Sequence, residues 1–89
     1  MLYRLYTEDI NRREVEVLVA KYFEGFTITP ATGYWQLKRE QTIIIDIVGE
    51  EGNLIDCFQD IKRLCEEIKK LNKQESILIL SIPTTASFL

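Results

Sequence analysis

Along the chain, hydrophobic positions fall into blocks whose period switches between two residues and three to four. Leu2 to Thr7, "LYRLYT", alternates and is rich in leucine and tyrosine, which predicts a first strand. "TEDINRRE" supplies a helix start, with Asn11 as cap and Glu14 three residues on in a capping-box arrangement. Val15, Leu18, Val19 and Tyr22 follow the i, i+3, i+4, i+7 template and give that helix one apolar stripe, and Gly25 is the expected stop. A second strand begins near Phe26, where Pro30, which has no N–H to donate, fits only an edge or a bulge.

Thr42 to Val48, "TIIIDIV", reads as an interior strand because it is β-branched along nearly its whole length. Ile43, Ile45 and Ile47 point to one face, expected to meet the helices, and Ile44, Asp46 and Val48 to the other. After a "GEEGN" loop, Leu54, Phe58, Ile61, Cys65 and Ile68 repeat at four and three residues and predict a long second helix. Its other side carries Asp60, Lys62, Arg63, Glu66, Glu67, Lys69 and Lys70, the pattern of a solvated face. Ser76 to Ile82, "SILILSI", is the last strand, and Pro83 stops it.

The order β-α-β-β-α-β predicts an α+β, ferredoxin-like sandwich: a four-stranded antiparallel sheet in order 4-1-3-2, both helices on one face. The face without helices is expected to carry Leu2 or Tyr3, Tyr6, Ile44, Val48 and one set from "SILILSI". An apolar sheet face of this kind calls for a partner, here a second copy. At 89 residues the whole chain, 1–89, is one domain, and so small a core favours a homo-oligomer, dimer or tetramer.

Charge narrows the partners. With 46% hydrophobic and 28% charged residues the chain has the composition of a globular domain, and its net charge of -3 argues against a DNA or RNA polymer or an anionic membrane as partner. "MLYRLYTEDI" meets a charge within four residues, and no apolar run approaches the roughly twenty residues a bilayer requires, so a cytoplasmic location is expected. Cys57 and Cys65 lie eight apart, and there is no histidine. Two cysteines without histidine make a poor metal set, and eight helical positions rise about 12 Å, beyond the roughly 7 Å that a disulfide spans between Cα atoms. Both read as buried thiols.

Catalysis has little to stand on. The commonest general base near neutral pH is absent, and no phosphate loop, nucleophile elbow or metal cluster appears. Asp46, Glu40, Glu50 and Glu51 could pair for acid-base or magnesium work, but carboxylates at strand ends usually face solvent. No enzyme activity and no cofactor are expected.

Binding finds more in "GFTITPATGYWQLKRE", Gly25 to Glu40. Gly33 allows close approach or a positive φ, Tyr34 and Trp35 offer flat faces for a base, Thr29 and Thr32 offer hydroxyls, and Lys38 and Arg39 offer phosphate-pairing charge. Arg4 and Arg13 are secondary phosphate candidates. The same residues equally describe an edge hairpin with aromatic plugs and a basic tip.

The order of elements, together with "GFTITPATGYW", "KRE" and "IIIDIVG", resembles a set of short phage-encoded proteins that includes the anti-CBASS sponges. The resemblance covers most of the chain, and its distinctive motif is the short "ATGYW". It implies a small oligomer that binds a cyclic dinucleotide such as 3',3'-cyclic GMP-AMP in the host cytoplasm without cleaving it, so that the host's antiviral effector is starved of its signal. An inhibitor or interaction module that docks on a host protein through the hairpin or the open sheet face would show much the same sequence. RNA binding through the open sheet is a third option, weakened by the acidic balance.

Overall fold

The computed structural model describes residues 1–49 and 54–89, with the side chain of Leu54 left out. Glu50, Glu51 and most of the "GEEGN" loop therefore lie outside the described residues. Strand β1 (Leu2–Glu8) is followed by helix α1 (Arg12–Tyr22), strands β2 (Thr27–Trp35) and β3 (Lys38–Val48), helix α2 (Leu54–Asn72) and strand β4 (Leu78–Ile82). The strands pair antiparallel in the order β2-β3-β1-β4, which is the expected 4-1-3-2 read from the other edge.

The core forms where the two periodicities meet. Tyr3 and Leu5 of β1 and Ile43, Ile45 and Ile47 of β3 are buried beneath Val15 and Val19 of α1 and Ile61, Leu64, Cys65 and Ile68 of α2. Burying such side chains contributes about 1.5–3 kcal/mol each, the main favourable contribution in so small a domain. The expected α2 stripe holds at Ile61, Cys65 and Ile68 but omits Leu64. Phe58 sits at its margin, 38% exposed, with its ring 6.1 Å from that of Tyr3. On the open face stand Leu2, Arg4 and Tyr6, opposite Val48, Asp46 and Ile44 on one side and Ile82, Leu80 and Leu78 on the other. Tyr3 is in the core, so Leu2 is the residue of that pair that faces outward.

Both ends of α1 depart from expectation, and α2 closes without a glycine. Asn11 is left-handed (φ 54°) and makes no side-chain cap; its amide instead donates to Asn72 Oδ1 at 3.2 Å and to the Leu71 carbonyl at 3.4 Å. Asn72 donates to Gln74 Oε1 at 3.0 Å, the Thr7 hydroxyl donates to the same oxygen at 2.7 Å, and Thr7 and Asn72 are buried. This network fastens the start of α1, the end of α2 and β1 together, which is why Asn11 is not available as a cap. Gly25 does not end α1: Phe23 does, extended, its N–H donating to the Val19 carbonyl at 2.9 Å. Lys73 closes α2 in the left-handed conformation (φ 55°), with the Gln74 N–H reaching back to the Lys69 carbonyl at 3.1 Å, a Schellman cap without its usual glycine.

Candidate functional site

Strand β3 begins at Lys38, four residues earlier than the β-branched run suggests, and pairing with β1 reaches only to Glu8 opposite Thr42. The Asp9 N–H still donates to the Gln41 carbonyl at 2.9 Å; past that bond β2 and β3 pair only with each other, through Gly33 and Glu40, Tyr34 and Arg39, and Trp35 and Lys38. Residues 33–40 thus form a two-stranded arm projecting past the sheet. Lys38 and Arg39, read from the sequence as a basic tip, lie within its second strand.

The turn at the arm's end is Gln36–Leu37, both with positive φ (50° and 64°), as the two-residue turn that suits strand twist demands. Neither residue favours that conformation, and an Asn-Gly signal that would have marked the turn in the sequence is missing. Leu37 is fully exposed there. Of the two roles expected of Gly33, it has the close approach and not the positive φ. Its requirement is spatial: a Cβ at Gly33 would lie 2.5 Å from Oγ1 of the buried Thr42, where the arm leaves the sheet.

Alternation along the arm divides the candidate residues. Directly opposed residues share a face, so Trp35 and Lys38 lie together on the side continuous with the open sheet face, with Gly33 and Glu40 behind them. Tyr34 and Arg39 lie on the other side, with Thr32. Each side therefore holds one aromatic ring beside one cation, and Tyr34 and Trp35 stand 71% and 68% exposed. Thr29 shares the tryptophan side but lies six positions down the strand, about 20 Å away.

Neither secondary candidate joins the arm. Arg4, on the open face, makes two bonds to Asp46, Nε to Oδ1 at 2.7 Å and Nη2 to Oδ2 at 3.1 Å. That carboxylate raises the pKa of the guanidinium, which stays charged and engaged. Arg13 lies on α1, beside a shallow groove floored by Val17, Leu18 and Leu71. Nearby, Glu67 accepts from the Tyr22 hydroxyl at 2.6 Å and from Lys21 Nζ at 3.1 Å, tying α1 to α2; both bonds hold its carboxyl below the usual range.

A broader groove at the opposite end of the sheet is lined by Glu24, Asp46, Asp56 and Asp60, among others. Carboxylates there repel a phosphate, whereas the arm presents cations beside rings. Among the described residues no cluster of three histidine, cysteine or acidic side chains could hold a metal ion, and no helix is long and apolar enough to cross a membrane. Cys65 is a buried thiol, its pKa pushed up to about 11 chiefly by burial, and Cys57 is half-buried.

No family model matches the chain, and no curated protein matches it. Among solved structures it is similar to "De novo designed protein Foldit4", with 16% identity, a TM-score of 0.53 and 94% of each chain covered. At that identity the likeness speaks for the fold alone, and the arm's chemistry stands on its own residues.

Proposed function

We propose that this protein is a non-catalytic trap for a small nucleotide signal of the cyclic dinucleotide class, held at the arm formed by β2 and β3. The observation that carries the reading is Trp35 and Lys38 side by side and exposed on one side of the arm. A base stacks on the indole, and the adjacent ammonium pairs with a phosphate. Tyr34 and Arg39 repeat the arrangement on the other side, with Thr32 supplying a hydroxyl. One side accommodates one base and one phosphate, which leaves the second half of a cyclic dinucleotide for the arm of another copy. In this reading the ligand is held intact, and Glu40, on the same side behind Lys38, takes no part in cleaving it. Together with the sequence's resemblance to anti-CBASS sponges, this supports a role in phage evasion of a cyclic-nucleotide immune signal in the host cytoplasm.

Calorimetric titration with cyclic dinucleotides and trinucleotides, followed by chromatography of the recovered ligand, tests this. Saturable binding with intact ligand, lost in Trp35→Ala, is expected; ligand breakdown or indifference to every nucleotide would sink it. At a hundred times its dissociation constant the ligand should add about 2.7 kcal/mol of stability.

The open sheet face favours a second reading, a module that docks on a host protein, because Val48 and Leu78 there are 56% and 58% exposed. In that case Val48→Asp abolishes capture of the host protein and Trp35→Ala does not.

A further inference from the structure

The two edges of the sheet differ in how they are protected. β2 carries Pro30 near its middle, which removes a backbone donor and spoils continuous pairing with another chain. β4 pairs with β1 on one side and forms the other edge, and Ile77 to Ile82, "ILILSI", contains no charge and no proline. Such strands are normally blunted by lysine, proline or a bulge. Leu78 and Ser81 are exposed and Ile79, Leu80 and Ile82 half-buried, so the edge is open to another strand.

We infer that β4 pairs antiparallel with β4 of a second copy, joining two sheets into one of eight strands. A two-fold axis through Leu80 sets Leu80 opposite Leu80, Ile79 opposite Ser81 and Leu78 opposite Ile82. That register pairs all five residues of the strand, and each displaced two-fold register pairs fewer. It brings no charge against a like charge, because the strand has none. It also continues Leu78, Leu80 and Ile82 of both copies as one apolar band across the open face, beside Leu2 and Tyr6. The arms then lie at the two far edges, their nearest strands, β3 and β3 of the second copy, five strand spacings or about 24 Å apart, so one small ligand cannot bridge them within the pair. The inference does not depend on what the arm binds.

Sedimentation at micromolar concentration should give twice the 10.4 kDa chain mass. Opposed residues in such a ladder hold their Cα atoms about 4.5–5.5 Å apart, within reach of a disulfide. Leu80→Cys should therefore link the two copies under mild oxidation, with the joined 80–80 peptide identified by mass spectrometry. Leu80→Lys, which sets two cations face to face, should give a folded monomer by circular dichroism and sedimentation. If Leu80→Lys does not fold, the wild-type mass and the link decide. A monomeric wild type, a dimer without the 80–80 link, or a folded Leu80→Lys dimer would each overturn the inference.

Discussion

Strand β3 is two strands in physical terms. From Thr42 to Val48 it lies between β1 and β2, and its isoleucines at 43, 45 and 47 are at most 1% exposed. From Lys38 to Glu40 its backbone pairs with β2 alone, and its side chains are charged throughout. The inner half is dictated by burial, so its sequence reads plainly as structure. The outer half is not needed for the core, and residues such as Trp35 that are costly to expose stand there without a packing reason. That contrast separates a body that holds the fold from an arm the core does not require.

The largest effect should come from breaking the body. Ile45→Ala removes fully buried methyl groups and should cost about 2–5 kcal/mol in denaturant unfolding, whereas Trp35→Ala should stay within about 0.5 kcal/mol while abolishing ligand binding. An equal loss of stability in both would erase the distinction. Next comes the polar fastening: Asn72→Ala leaves the amide of Asn11 and the Oε1 of Gln74 each short of a partner and should cost about 1–3 kcal/mol, read by chemical denaturation.

The arm can be sharpened instead of broken. Gln36→Asn with Leu37→Gly supplies residues suited to positive φ and should stabilise the protein by about 1 kcal/mol, with Trp35 and Lys38 left in place to bind.

Acid should act on the body's ion pairs. Glu67, bonded to Tyr22 and Lys21, Glu66, bonded to Lys69, and Asp9, bonded to Arg12, all have lowered pKa values in the folded protein. Their contribution is present above the ordinary carboxylate range near about 4 and is lost as pH falls through the depressed values. The melting temperature should hold between neutrality and about pH 5 and decline below it. Smallest is a chemical rate: with its pKa raised to about 11, Cys65 should resist alkylation at neutral pH until the protein is unfolded.

Much of the body was legible because Thr42 to Val48 is β-branched along nearly its whole length and Val15 and Val19 keep helical spacing. Pro30 correctly marked an edge. The helix ends were harder: the cap expected of Asn11 was displaced by bonds to Leu71 and Asn72, residues about sixty positions away that no local pattern reveals. Gly25 looked like a stop, yet its φ is not positive and a Cβ there would meet nothing within 4 Å, so neither conformation nor space demands a glycine. The arm's composition was visible, but its turn was not, because Gln36 and Leu37 carry no turn signature. Alternation alone sends Tyr34 and Trp35 to opposite sides, but the sequence could not say which cation joins each ring, since that follows from the register of Trp35 with Lys38 and Tyr34 with Arg39.

Trp35 is the chain's only tryptophan, so its fluorescence reports the arm directly. Titrating the protein with 3',3'-cyclic GMP-AMP while following that emission should give a saturable change, abolished by Lys38→Ala together with Arg39→Ala at unchanged stability. Emission that stays constant while calorimetry records binding would place the ligand away from the arm and contradict the division between body and arm.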